Sequence, residues 1–184
     1  MPRSKLIPDE QVLDAVERVL LERGPHGFTL KHVSRRCGIA PATLIQRFGS
    51  KKGLMRAFGR HAARKAEKRP PISDEPPLKV LMRTLVDRAA NIGDRRAFVN
   101  SMSMLLEDIR DEHLRSAAAR QAFSTELVIE RLLDDAGYAQ PEKVARVIYA
   151  AWNGALIQWA LRGEGSLEKY VKKTLAETLA LVRR

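Results

Sequence analysis

Between Phe28 and Leu54 the chain reads FTLKHVSRRCGIAPATLIQRFGSKKGL, and the punctuation in this stretch leaves few ways to fold it. Thr29 is a good N-cap residue, followed by apolar Leu30 and Val33 one helical turn apart. Gly38 can take the left-handed backbone conformation that ends a helix sharply, with Ile39 as the apolar plug under the turn. Pro41 suits the first position of a second helix, where its missing N–H costs nothing. Leu44 and Phe48 lie four apart and face inward, leaving Thr43, Gln46 and Arg47 on other faces. Ser50 then caps a third helix. This layout predicts a helix-turn-helix, a motif whose second helix enters a DNA major groove.

The charge distribution agrees. Residues 1–70 hold 16 Lys/Arg against 6 Asp/Glu, a net of +10, whereas residues 71–184 hold 17 against 16, a net of +1. Charge kept for general solubility would be spread more evenly, so the first segment calls for a polyanionic partner. A chain of 184 residues buries roughly 70% of its unfolded surface on folding, enough for a real core.

Helical periodicity continues almost everywhere and strand signals are nearly absent, so the expected class is all-α. A first helix starts at Asp9-Glu10, whose charges suit the positive helix end, and stops at Gly24-Pro25. The helix capped by Ser50 carries Leu54, Met55, Phe58 and Ala62 inward and runs to Arg69. The stretch Pro70-Pro71-Ile72-Ser73-Asp74-Glu75-Pro76-Pro77 cannot be helical throughout and coincides with the charge switch. The expected domains are therefore 1–69, binding DNA, and 78–184, separated by a Pro-rich boundary at 70–77. Beyond it, helices are expected over Leu78–Asn91 (Leu81, Leu85, Val86 inward), from Asp94 (Phe98, Met102, Leu105, Leu106), over Asp111–Asp135 (Leu114, Ala118, Phe123, Leu127, Leu132), over Glu142–Leu161 and over Ser166–Val182.

The residues of the motif resemble the DNA-binding region of the TetR family of bacterial transcription regulators. The match is carried by Thr29, Val33, Gly38, Ile39, Thr43, Leu44, Phe48, Ser50, Lys51 and Leu54, with Val12 to Ala15, Leu20 to Gly24 and Phe28 upstream. Three positions depart from the family pattern. Ile45 replaces a Tyr that reaches the phosphate backbone, Ala40-Pro41 replace a polar or basic pair, and Ser34 replaces an Ala. The DNA-facing set is then Thr29, Lys31, Ala40, Pro41, Ala42, Thr43, Ile45, Gln46, Arg47 and Lys51. Thr43 and Gln46 are the candidates for reading bases, with Ala40, Pro41 and Ala42 against thymine methyls. Lys51 and, less directly, Lys52 sit where a phosphate would bind a helix N-terminus. Thr29 can cap its helix, touch a phosphate, or do both. Arg47 can pair with a phosphate or with an acidic residue on the first helix. Arg3 and Lys5 either follow the minor groove or form a basic tail.

The resemblance also implies a pocket for a small apolar effector among the middle helices, for which Met82, Leu85, Phe98, Met102, Leu105, Phe123, Tyr149 and Trp152 are the candidates. Asn100, Ser101, Ser103 and Asn153 are polar groups that could orient such a ligand. It implies as well a homodimer built on a four-helix bundle. There the run Ala150-Ala151-Trp152-Asn153-Gly154-Ala155 puts small residues one turn apart, and it could equally serve packing within one chain; Ala151 and Ala155, with Trp159, Tyr170, Thr174 and Thr178, are candidates for the interface. A dimer would set two recognition helices about 34 Å apart on a palindromic double-stranded operator.

Other classes fare worse. His26, His32, His61 and His113 are scattered, and no metal-ligand spacing surrounds Cys37. No phosphate-cradling glycine loop or nucleophile motif is present, so no catalytic residue, metal or cofactor is expected. Cys37, the single cysteine, is expected as a small buried residue, with a redox sensor the alternative. The longest uncharged run, the 15 residues from Val147 to Leu161, is too short and polar for a membrane span, so a cytoplasmic protein without membrane contact is expected. Two rivals to a repressor remain at this point. One is an architectural or partner-recruiting DNA-binding protein of the same fold that needs no effector. The other is a helical module whose basic face meets acidic protein or membrane.

Overall fold

The structure, a computed structural model, describes residues 7–67, 74–162 and 165–182. Nine helices and no strands occur among the described residues: α1 Asp9–Gly27, α2 Leu30–Cys37, α3 Pro41–Phe48, α4 Lys51–Glu67, α5 Pro77–Ala90, α6 Arg95–Arg110, α7 Glu112–Asp135, α8 Pro141–Arg162 and α9 Leu167–Val182. Arg3, Lys5 and the residues from Lys68 to Ser73, which include the start of the Pro-rich boundary, lie outside the described residues.

Contacts divide the chain into two compact units. The first is Met1–Lys65 with Val99–Ala119, and the second is Ala66–Phe98 with Arg120–Arg184. The division is thus not one cut in the sequence: most of α6 and the start of α7 pack with the helix-turn-helix.

In the first unit, α1, α2, α3 and α4 close over a core of Val12, Leu13, Val16, Val19, Leu20, Phe28, Val33, Leu44, Leu54 and Phe58. Leu30, Cys37, Ile39, Phe48, Met55 and Met104 pack around it. Burial at the 3–4 spacing of α1 fixes which face turns inward. A second tie between α1 and α4 is polar: the nearly buried His61 ring lies 3.2 Å from Asp14, and Lys65 bridges Asp14 and Glu17, each at 3.1 Å. Burial resists the Asp14 charge, but its hydrogen bonds with His61 and Lys65 hold its carboxyl below the usual range.

In the second unit α9 packs on both α8 and α5. The α7 face differs from the expectation. Buried positions are Val128, Ile129 and Leu133, with Ser124 and Thr125, whereas Phe123 is 62% exposed. The buried face is turned by about one residue from that expected, and Thr125 is satisfied inside it: its hydroxyl donates to the Gln121 carbonyl (2.9 Å) and accepts from Arg88 (2.9 Å). On α6, Leu105 and Leu106 are likewise exposed rather than inward.

Candidate nucleic-acid interface

Each break in the motif is made by the residue expected to make it. Thr29 is extended, and its hydroxyl accepts from the His32 N–H at 3.3 Å. Gly38 ends α2 at φ 70°, its N–H donating to the Ser34 carbonyl at 2.9 Å. Pro41 occupies the first turn of α3, and Gly49 closes that helix through the Ile45 carbonyl at 2.7 Å. Ser50 caps α4 by accepting from the Gly53 N–H at 3.0 Å.

With Leu44 buried and Phe48 against the core, α3 turns Ala42, Ile45 and Gln46 outward. Thr29, Lys31, Ala40, Pro41 and Lys51 are exposed beside them, and Thr43 is half-buried. Lys31 and Arg35 enter no ion pair among the described residues, which leaves their charges for solvent or a ligand. Lys51 projects from the first turn of α4, with its ammonium 5.4 Å from the Phe28 ring centroid. Positive charge at a helix N-terminus is unfavourable alone and becomes favourable once an anion binds there.

Two basic residues are already engaged. Arg47 pairs with Asp9 of α1 and lies over the Phe48 ring, so of its two expected partners it has the acidic one. Lys52 pairs with Asp111 at 2.9 Å, and Arg56 lies 3.8 Å from the same carboxylate. Asp111 also accepts the His113 and Leu114 N–H groups at the start of α7 (3.1 and 3.3 Å). The Lys52 hydrogen bond, aided by the Leu114 N–H and by Arg56, pulls the Asp111 pKa down to about 2. Cys37 is half-buried, and burial pushes its thiol up against the opposing pull of Arg47 and Arg36.

The candidates in the C-terminal half need correction. Ala155 and Trp159 are 2% and 7% exposed in the single chain, so they are core and not open to a partner. Trp159 donates its indole N–H to the Gly165 carbonyl at 3.1 Å. Ala151, Tyr170, Thr174 and Thr178 are half-buried. Beyond Ala150 and Gly154 of the small-residue run, the expectation missed the outward stripe of α8: Val147, Ala150, Gly154, Ile157 and Leu161, the last 75% exposed, recur at spacings of three and four. The sequence signal for it is that spacing of three and four.

The proposed pocket set does not assemble as expected. Leu85 and Phe98 are core, Leu105 and Phe123 are exposed, and Met102 belongs to the first unit. Trp152 spends its N–H on the Leu85 carbonyl (2.9 Å) and stacks on Tyr149 at 6.1 Å. The polar candidates are also occupied: Asn153 donates to the Tyr149 carbonyl (2.9 Å), Ser103 to Val99 (3.0 Å) and Asn100 to Leu21 (2.7 Å). A cavity of about 240 Å³ in the second unit is lined by Leu78, Met82, Tyr138, Ala176, Leu179 and Ala180, and only Met82 was expected there. No group of three or more His, Cys, Asp or Glu able to hold a metal occurs among the described residues, and none of their helices is long and apolar enough to cross a membrane.

Comparison with known proteins agrees with this geometry. Residues 12–58 match the model of the bacterial regulatory proteins of the tetR family, and residues 77–183 match that of the tetracyclin repressor-like C-terminal domain. No curated protein matches the sequence. Among solved structures, a transcriptional regulator from Rhodococcus sp. Rha1 superposes with a TM-score of 0.74 at 16% identity, covering 96% of both chains. The reduced form of NemR from E. coli gives 0.71 at 19% identity, over 95% of this chain and 97% of that one. A TetR-family member from Streptomyces coelicolor A3 gives 0.62 at 23% identity, over 93% and 98%. At such identities the likeness shows the fold, while the two family models together span most of the sequence. The chain belongs to the TetR family of bacterial transcription regulators.

Proposed function

We propose that this regulator is a homodimeric, cytoplasmic repressor that binds a palindromic operator and is released by a small apolar effector. Regulators of this family bind DNA and act as dimers. The observation that carries the reading for this chain is the exposed surface of α3, flanked by the uncommitted Lys31 and by Lys51 at the start of α4. Gln46 and Thr43 read base edges, and Ala40, Pro41 and Ala42 meet thymine methyls. Lys31, Lys51 and the Thr29 hydroxyl hold phosphates and set the register. Ile45 offers no hydrogen bond, so its contact is apolar.

Dimerisation rests on the α8 stripe, since an outward row of apolar side chains on a soluble helix calls for a partner. The uncharged cavity at Met82 supports an apolar effector of modest size. Release is a population shift: the effector favours a dimer geometry in which the two α3 helices no longer fit successive grooves.

Fluorescence anisotropy on DNA from upstream of the protein's own gene, against scrambled DNA at several salt concentrations, tests the reading. A preference of ~10³ or more for one site establishes sequence-specific regulation. Equal binding with a steep salt slope favours an architectural role. Absence of binding at low salt defeats the proposal.

A further inference from the structure

The last turn of α1 is broken. Gly24 leaves the helical conformation at φ 65° and ψ 175°, and Pro25 opens the turn that ends at Gly27. A helix that stops leaves its final carbonyls without partners, and N–H groups at and just beyond a left-handed glycine ordinarily return to them. Here the residue beyond the glycine is Pro25, which has no N–H to give. The carbonyl of Leu21 is taken instead by α6: the side-chain amide of Asn100 donates to it at 2.7 Å.

Asn100 also occupies the space above the break. A Cβ placed on Gly24 would meet the Asn100 Oδ1 at 2.7 Å and its Cγ at 3.3 Å. The backbone angle calls for glycine at position 24, and a Cβ there would push Asn100 away from the Leu21 carbonyl. From the other side, the His32 ring Nδ1 donates to the Gly27 carbonyl at 3.1 Å. The short path from α1 into α2 is thus held by one side chain from α6 and one from α2.

Asn100 does not act alone on its face of α6. Met104, one turn later, packs on the core of the module, and Asp111, just past the helix end, holds Lys52 of α4. These positions fall on one side of the helix, while Val99, Leu106 and Ile109 on the opposite side are exposed.

We propose that Asn100 is a positioning residue for DNA recognition. It touches no base or phosphate. By completing the end of α1 it fixes the direction in which the chain enters α2, and with it the angle at which the α2–α3 pair meets the groove. The claim rests on the DNA-binding reading above and predicts a particular division of effects. Base readout needs α3 placed within a fraction of an ångström, whereas phosphate attraction tolerates movement. Losing the Asn100 hydrogen bond should therefore weaken specific binding and spare nonspecific binding.

The test starts with in vitro selection of a DNA site from a random pool by the wild-type protein. Asn100→Leu keeps the branched shape and removes the donor. The expected result is a loss of ~10-fold in affinity for the selected site, the scale of one half-buried carbonyl left without its donor. Affinity for scrambled DNA should hold within about twofold, with an unchanged salt slope. Hydrogen exchange of amides from Leu21 to Thr29 should speed up while α8 and α9 keep their protection. Gly24→Ala should also weaken site binding, and the further loss it causes should be smaller in an Asn100→Ala background, where the clashing oxygen is absent. Unchanged site affinity, equal losses on both DNAs, additive Gly24 and Asn100 effects, or unchanged exchange from Leu21 to Thr29 would each overturn the proposal. If the wild type selects no sequence, the DNA-binding reading fails, and the exchange comparison still decides whether Asn100 holds the end of α1.

Discussion

The helix-turn-helix and the α8 stripe each leave a row of side chains uncovered, but the two rows are made of different material. On the first unit the row is polar, basic or small apart from Ile45: Ala42 and Gln46 lie on α3, with Lys31 and Lys51 beside it. On α8 it is Val147, Ala150, Ile157 and Leu161, without a charge among them. The first surface fits a partner whose chemistry is fixed, a duplex with regular phosphates and base edges. The second, on the dimer proposed above, would meet its own composition in a second copy. A site shaped by fixed external chemistry restricts residue types, whereas a site that meets its own kind restricts only spacing and size.

The sharpest way to break this contrast is to put a charge into the α8 stripe. Ile157→Glu should convert the dimer to a monomer by light scattering. Operator binding should fall by ~10² or more, because two linked half-site contacts become independent. A dimer that survives with full affinity would remove α8 from the interface.

Smaller effects separate the two kinds of contact within the first unit. Thr43→Val or Gln46→Ala should cost about 1–3 kcal/mol on the selected site and relax its sequence preference. Lys31→Ala should weaken all DNA alike and reduce the salt slope by about 1. Equal behaviour of these variants in anisotropy titrations would erase the distinction between base reading and phosphate holding.

The smallest effect concerns stability. Burial, together with the neighbouring carboxylates of Asp111 and Glu107, raises the pKa of Asp108 to about 6. The folded state then binds this proton more tightly than the unfolded chain, so stability is greatest below about pH 4 for this group and declines as pH rises through 6. Asp108→Asn should stabilise the protein at pH 7.5 by about 1 kcal/mol, with solvent screening allowed for. The gain should vanish as pH falls towards 4 in urea titrations. Asp111 works in the opposite sense: its stabilising contribution is present above about pH 4 and is lost as pH falls towards 2.

What could be read from the sequence follows the same contrast. Thr29, Gly38, Pro41 and Ser50 are where local backbone chemistry dictates residue type, so the boundaries of α2, α3 and α4 fall where these residues predict. Phe123 and Leu105 misled because apolar character alone does not say which face of a helix is covered. Burial of Thr125 depends on the Gln121 carbonyl and Arg88, a satisfaction visible only once α5 and α7 are packed. Arg47 illustrates the middle case, since both of its partners were foreseeable and only folding chose Asp9. Asn100 left no local sign at all. Gly24-Pro25 announces an unsatisfied carbonyl, yet the donor comes from 79 residues away.

The α8 stripe carries one more consequence. Counted from Gly154, Val147 and Leu161 lie seven residues either side, and Ala150 and Ile157 lie four before and three after. The row therefore reads nearly the same in both directions. If the proposed dimer pairs α8 with its copy antiparallel about a two-fold axis at Gly154, each large side chain would meet a smaller one: Leu161 against Val147, and Ile157 against Ala150. In that pairing the two backbones would come closest at the axis itself, where neither chain carries a side chain.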